Sequence, residues 1–113
     1  MQKNEFTVQK NILLQDSKIL IVAEEVIKDY ILGDEIIILV DASKTKNSRN
    51  VYCYDFNGKL IWQIAASDQL HFDNYYTSIY LSEQNLLLLY NINGIEATIN
   101  KWDGSILKKE LIK

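Results

Sequence analysis

Residues 51–64 read VYCYDFNGKLIWQI, two alternating runs of apolar and aromatic residues around the pair Asn57-Gly58. An Asn-Gly pair between such runs is the strongest short signal for a β-hairpin, because both residues tolerate the positive φ angles of a tight turn. With a two-residue loop, Tyr54 faces Ile61 across the hairpin. Both faces of the hairpin carry apolar or aromatic side chains, so we expect it to be covered on both sides.

The same alternation, with a period of two residues, runs through most of the chain. Asn93-Gly94 and Asp103-Gly104 supply two further hairpin turns. The pattern predicts an all-β fold in a single domain spanning residues 1–113, built as an antiparallel meander. Ten strands are predicted, at 11–15, 18–23, 26–32, 35–41, 50–56, 59–65, 75–81, 86–92, 95–102 and 105–111.

The meander contains an internal repeat. The segment DEIIILV at 34–40 aligns with QNLLLLY at 84–90, and NGKLIW at 57–62 aligns with DGSILK at 103–108. Repeats of about 40–45 residues with four strands are typical of propeller blades.

The repeating unit is a four-stranded meander, present at 26–65 and again at 75–111, with half a unit before the first copy. We therefore expect two blade-like four-stranded sheets. The alternative is an α+β fold with a helix near 24–32, because Val26, Ile27, Tyr30 and Ile31 also fit one helical face.

The run CYDFNGKLIW at 53–62 resembles the tryptophan-docking repeat of quinoprotein (PQQ-like) propellers, and the hairpins are also similar to those of WD40-like propellers. In the PQQ-like repeat a small residue, an Asp, a Gly and a Trp close the outer hairpin of each blade. The spacing from Gly58 to Trp62 matches that family, whereas Asp55 is one residue too close to the glycine. The next copy has Lys108 in place of the tryptophan. The resemblance implies blade-like hairpins, and no quinone, metal or dehydrogenase chemistry is carried over from it.

Composition and charge narrow the functional classes. The chain is 48% hydrophobic and 24% charged, with a net charge of −3. Residues 16–41 hold seven acidic residues against two lysines, and Arg49 is the only arginine. This balance argues against nucleic acid as a partner, because phosphate binding needs clustered Lys and Arg. The longest apolar runs are five residues, too short to cross a membrane.

The sequence offers little for catalysis or for a cofactor. Cys53 is the only cysteine and His71 the only histidine, so a zinc site of the usual kind is excluded. A general base formed by His71 and Asp73 is the one catalytic hypothesis. We predict no catalytic, cofactor or metal site. A lone cysteine favours the cytoplasm as the compartment.

Protein binding is the class that remains. Acidic side chains attract basic partners, and Tyr and Trp are favoured interface anchors. Besides the acidic segment, the chain carries several aromatic residues, Trp102 among them. One of two neighbouring tyrosines in a strand must point outward, which singles out the pair at 75–76. The predicted partner-binding residues are Glu24, Glu25, Asp29, Asp34, Glu35, Tyr75 and Tyr76.

The leading hypothesis is a small non-enzymatic protein of the bacterial immunity or antitoxin type. It would neutralise a basic toxin such as a nuclease, which needs positive charge to hold phosphates. The alternative is a blade-like structural module that forms homo-oligomers. Without proline in the chain, its sheet edges stay open to a second copy.

Overall fold

The computed structural model describes residues 5–66 and 74–112, and these residues form eleven β-strands and no helix. The all-β class is confirmed. The α+β alternative is wrong, because residues 27–32 form a strand. The strands are β1 Phe6–Gln9, β2 Ile12–Gln15, β3 Lys18–Val22, β4 Ile27–Leu32, β5 Ile36–Val40, β6 Val51–Tyr54, β7 Leu60–Gln63, β8 Tyr76–Leu81, β9 Leu87–Asn91, β10 Ile95–Ile99 and β11 Ile106–Leu111.

The strands form three antiparallel meanders, which we call the first, second and third sheets. Their strand orders are β1-β2-β3, β4-β5-β6-β7 and β11-β10-β9-β8. The two four-stranded sheets confirm the repeating unit predicted at 26–65 and 75–111. The leading half unit has three strands rather than two, because Phe6–Gln9 pairs with β2. This short FTVQ strand has too few alternating residues to be seen in the sequence.

Tight turns with positive φ angles connect neighbouring strands. Gly58, Gly94 and Gly104 have φ angles of 85°, 80° and 80°, but the residue before each glycine has no positive φ, so the three hairpins form at the predicted places without the predicted two-residue turn. Asp16 and Ser17 also have positive φ angles, 52° and 69°, although neither is a glycine. Polar residues with short side chains tolerate this region better than others, which explains a turn at that position.

The β6–β7 hairpin departs from the predicted register. Tyr54 pairs with Leu60 rather than with Ile61, because the ladder shifts by one residue after Cys53. The side chain of Asp55 causes the wider loop. Its Oδ1 accepts hydrogen bonds from two backbone N–H groups, those of Asn57 at 2.8 Å and of Lys59 at 3.0 Å. An aspartate that caps a loop in this way favours a turn longer than two residues.

The second sheet lies between the other two. On one face, Ile36, Ile38 and Tyr52 pack against Leu13 and Ile21 of the first sheet. On the other face, buried side chains of both sheets form a second core: Leu39, Val51, Cys53, Trp62 and Ile64 from the second sheet and Ile79, Leu87, Leu89, Ala97 and Ile99 from the third. The prediction that the 51–64 hairpin is covered on both faces holds for β6, whereas Leu60 and Ile61 of β7 are 47% and 40% exposed.

Glycine turns of the second and third sheets each lie against the preceding sheet. A Cβ atom on Gly58 would lie 2.5 Å from the backbone oxygen of Leu20 in the first sheet. A Cβ atom on Gly104 would lie 2.6 Å from the indole ring of Trp62 in the second sheet. Each sheet therefore rests on a glycine turn of the next one. Lys108 occupies the position equivalent to Trp62 in the third sheet and is exposed to solvent, so the stack ends there.

Asn50 joins the second and third sheets at its buried position. Its Nδ2 donates to the carbonyl oxygens of Val40 at 2.9 Å and of Tyr76 at 2.8 Å. Its Oδ1 accepts from the N–H of Tyr76 at 2.9 Å. The side chain is fully buried, so these bonds satisfy its amide in place of water.

Candidate functional site

Five strand connections from all three sheets meet at one end of the molecule. Successive turns of an antiparallel meander lie alternately at the two ends of its sheet. Contacts between the sheets bring the corresponding ends of the three sheets together. The ion pair between Lys101 and Asp34, with Nζ and Oδ2 3.4 Å apart, joins turns of the third and second sheets. We call this surface the turn end, defined by residues 16–17, 33–35, 55–59, 82–85 and 100–105. The described connections at the opposite, loop end are residues 10–11, 23–26, 41–50 and 92–94, with 64–66 and 74–75 from the connection between β7 and β8.

Trp102 stands on the turn end in the β10–β11 connection. The Oδ1 of Asn100 accepts a hydrogen bond from the N–H of Trp102 at 2.9 Å and fixes the turn. The Trp102 side chain is 60% exposed. The Nζ of Lys101 lies 5.4 Å from the centre of the indole ring, within the range of a cation–π contact. A large aromatic ring is thus held by a rigid turn and presented to solvent.

A cleft borders Trp102 between the second and third sheets. Ile31, Gly33, Leu81 and Lys101 line it with the indole ring, and its volume is about 20 Å³. That is room for one water molecule, far below the several hundred cubic ångströms of a metabolite pocket. This cleft is therefore too small for a metabolite, whereas a second, wider groove lined by Trp102 has a volume of about 210 Å³ and is open to solvent.

Carboxylates dominate the turn end. Its five connections hold six acidic residues against two lysines: Asp16, Asp34, Glu35, Asp55, Glu83 and Asp103 against Lys59 and Lys101. Several of these carboxylates also stabilise turns. Hydrogen bonds from the N–H and hydroxyl of Ser105 hold the pKa of Asp103 below its usual value, so this side chain stays charged.

Among the described residues of the loop end, basic side chains outnumber acidic ones. Its described connections hold three acidic residues, Glu24, Glu25 and Asp41, against Lys10, Lys44, Lys46 and Arg49. The acidic segment predicted from residues 16–41 is therefore split between the two ends. A strand of six residues is about 20 Å long, and β4 separates Glu24 and Glu25 from Asp34 and Glu35. Asp29 lies exposed on β4 between the two groups.

Tyr75 and Tyr76 are both buried, at 8% and 5% exposure. The expectation that one of them points outward was wrong, because the strict alternation of a strand does not apply to Tyr75. This residue precedes β8, and its carbonyl accepts a hydrogen bond from the N–H of Ile92. The Tyr75 ring also has Lys46 Nζ 5.7 Å from its centre. The pair therefore belongs to the core at the loop end.

Little in the sequence indicated that Trp102 belongs to the candidate site. It was one of several aromatic residues in the chain and was not among the predicted partner-binding residues. Its position was the usable signal, since it directly precedes the Asp103-Gly104 turn. A bulky aromatic side chain in a turn has no residue on a paired strand to pack against, so it stays exposed.

Cys53 lies in the core and is fully buried. Its thiol donates to Glu35 Oε1 at 3.6 Å. Burial, together with this carboxylate, raises the pKa of Cys53 to about 12, so the thiol is not a nucleophile at neutral pH. His71 and Asp73 lie outside the described residues.

Within residues 5–66 and 74–112, no three His, Cys, Asp or Glu side chains converge to hold a metal ion. The same part of the chain contains no helix of the length and apolar character needed to cross a membrane.

The model of one protein family matches residues 3–111, nearly the whole chain. The chain belongs to the family "Domain of unknown function (DUF7957)". No curated protein matches this member of the family. Its resemblance to PQQ-like and WD40-like propeller repeats stays a prediction.

Among solved structures, this family member is similar to the computationally designed Ika8 protein, with a TM-score of 0.62 and 10% sequence identity. The match covers 96% of this chain and 36% of the designed one. At this identity the likeness concerns the fold alone. The chain spans about a third of the length of that protein, so the same arrangement of sheets also exists within a longer chain.

Proposed function

We propose that this chain is a small non-enzymatic protein-binding protein that inhibits a basic toxin, such as a nuclease, in the manner of a bacterial immunity protein or antitoxin. The observation that carries the proposal is Trp102, a positioned and 60% exposed indole among the carboxylates of the turn end. The proposed site uses Asp34 and Glu35 of the sequence-predicted residues. Glu24, Glu25, Tyr75 and Tyr76 lie at the loop end and are not part of it.

The anchor of the proposed interface is the indole ring. Tryptophan is enriched among the few residues that carry most of the binding energy of an interface. Asn100 already fixes the backbone of Trp102, so little conformational freedom is lost on binding. Leu86 and Leu107, which line a shallow groove with Trp102, extend the apolar centre of the surface.

The negative charge around Trp102 favours a basic protein as the partner. Six carboxylates against two lysines give the turn end a negative potential, which accelerates association with a basic protein. Nuclease toxins carry clustered positive charge because they bind phosphates. An inhibitor that occupies that basic surface would block access of the nucleic acid. Neutralisation of such a toxin inside the producing cell would take place in the cytoplasm, which is the location we propose.

The proposal is tested with a panel of purified basic nuclease domains from bacterial toxins. Nucleic-acid cleavage is measured with and without excess chain, and association rates with an inhibited nuclease are measured at low and high salt. We expect Trp102→Ala to weaken binding by roughly 30-fold or more, as for other central aromatic anchors. We expect Glu83→Lys to slow association and to reduce its dependence on salt.

Glu24→Lys makes the same change of charge at the loop end and serves as the matched control. It should leave the association rate and its salt dependence close to those of the natural chain. Failure to inhibit any nuclease in the panel would contradict the proposal. A larger effect of Glu24→Lys than of Glu83→Lys would move the interface to the loop end, and association that is insensitive to salt would remove its electrostatic basis.

A further inference from the structure

The chain contains two Asn-Gly pairs, at 57–58 and 93–94, in turns of the same design. The Oδ1 of Asp55 accepts a hydrogen bond from the N–H of Asn57 at 2.8 Å, and the Oδ1 of Asn91 accepts one from the N–H of Asn93 at 2.9 Å. Each glycine has a positive φ angle, and its N–H donates to the carbonyl oxygen of the same capping residue, at 3.0 Å for Asp55 and 3.1 Å for Asn91. The backbones of the two pairs are therefore matched, and their asparagine side chains can be compared directly.

The two asparagine side chains differ in how they are held. Asn57 is exposed, and no hydrogen bond to its side-chain amide occurs within residues 5–66 and 74–112. Asn93 is half-buried, and its Nδ2 donates to the Oδ1 of the buried Asn74 at 3.3 Å. The Asn57 side chain can therefore rotate towards its own backbone without losing a hydrogen bond, whereas that of Asn93 must first release Asn74.

This freedom matters because an asparagine amide is chemically labile when a glycine follows it. Glycine has no Cβ atom, so its nitrogen can approach the preceding side chain. In the reaction, the Gly58 nitrogen gives up its proton and attacks the Cγ atom of Asn57. The N–Cγ bond forms, the Cγ–Nδ2 bond breaks, and the amide nitrogen leaves with that proton as ammonia. Water then opens the cyclic imide at either of its carbonyl groups, which yields aspartate or iso-aspartate.

We propose that Asn57 is a site of spontaneous deamidation in the folded protein, and that the reaction adds a carboxylate to the turn end. Residue 57 lies in the turn-end connection 55–59, so the reaction gives this end seven carboxylates in place of six. Asn93 lies at the loop end and is protected by its bond to Asn74. The change of charge is thus confined to one end of the molecule. The reaction needs only water, so it is independent of the partner proposed above.

The two products differ in their effect on the turn. Aspartate keeps the main chain and the shape of the side chain. Iso-aspartate carries the main chain through Cγ, which lengthens the turn by one methylene group. Gly58 has little room to shift, because a Cβ atom on it would lie 2.5 Å from the Leu20 backbone oxygen. The iso-aspartyl form should therefore unfold at a lower denaturant concentration than the natural chain, and the aspartyl form at nearly the same one.

Incubation of the full chain in mildly alkaline buffer tests the proposal, with one sample folded and one unfolded in guanidinium chloride. Ion exchange separates the more acidic forms, and mass mapping of peptides measures the loss of each amide. In the folded chain, Asn57 should react roughly five-fold or more faster than Asn93, the factor that one side-chain hydrogen bond contributes. In the unfolded chain the two rates should be nearly equal, because both sites are then Asn-Gly pairs without structure.

Asn57→Gln should remove the main acidic form, because the longer side chain closes its ring far more slowly. Asn93→Gln is the matched control and should leave that form in place. Asn57→Asp should elute with the aspartyl product and identifies it. Equal rates at the two sites in the folded chain, or a faster reaction at Asn93, would overturn the proposal. So would the absence of an acidic form from the folded chain over the time in which the unfolded chain is half converted.

Discussion

Asn50→Asp is expected to lower the free energy of unfolding by about 4 kcal/mol or more at pH 7, a large share of the 5–15 kcal/mol that is typical of a domain. The amide of Asn50 donates to the carbonyls of Val40 and Tyr76 and accepts from the N–H of Tyr76. A carboxylate keeps the shape and the acceptor but loses both donors. It would face two carbonyl oxygens as a buried negative charge.

The penalty should depend on pH. Burial raises the pKa of such a carboxyl in the folded protein above its unfolded value of about 4. The penalty relative to the natural chain is therefore smallest below about pH 4 and grows as the pH rises from there through the folded-state pKa. Urea unfolding at pH 4 and pH 7, each compared with the natural chain, measures the difference.

Asn57→Asp is the control for this substitution, since Asn57 is exposed in the β6–β7 turn. It should change the free energy of unfolding by no more than about 0.5 kcal/mol. If Asn50→Asp lies within about 1 kcal/mol of the natural chain at pH 7, the bridge between the second and third sheets is not as described.

Gly104→Ala is expected to cost about 3 kcal/mol or more, from two separate causes. The φ angle of Gly104 is +80°, which strains any residue with a Cβ atom. The new methyl would also lie 2.6 Å from the Trp62 indole, whose Nε1 donates to the Lys101 carbonyl at 2.9 Å and so holds the ring in place. The ring therefore has little freedom to move away.

Gly33→Ala provides the matched control. Gly33 has no positive φ angle, and the nearest atom to its added Cβ is a Leu81 methyl at 3.7 Å. We expect a change between neutral and slightly stabilising, because alanine lowers the entropy of the unfolded chain. In a Trp62→Leu background, Gly104→Ala should cost only the backbone strain. Equal costs in both backgrounds would show that the ring does not rest on this glycine.

Most of the fold follows from local patterns in the sequence. Short apolar runs such as IIILV and LLLLY, together with alternating segments and glycine turns, place ten of the eleven described strands and both four-stranded sheets. Such patterns depend on nearest neighbours along the chain and are visible without the structure. The register after Cys53 was wrong because it depends on the side chain of Asp55, which accepts two hydrogen bonds and widens the loop.

The candidate site was less predictable. The acidic segment was recognised, but β4 carries its two halves to opposite ends of the molecule. Tyr76 is buried where the second and third sheets meet, and its backbone bonds Asn50, which is 26 residues away in the sequence. The order of residues alone does not reveal such contacts between sheets.

The chain has only two tryptophans, so ¹⁹F NMR of the protein labelled with 5-fluorotryptophan tests the proposed interface directly. The spectrum should contain one resonance for each ring, and Trp102→Phe assigns them. We predict that the Trp102 resonance responds to exchange of H₂O for D₂O and shifts when an inhibited, unlabelled basic nuclease is added. The buried Trp62 resonance should do neither. A Trp102 resonance that stays unchanged in the inhibited complex would contradict the account.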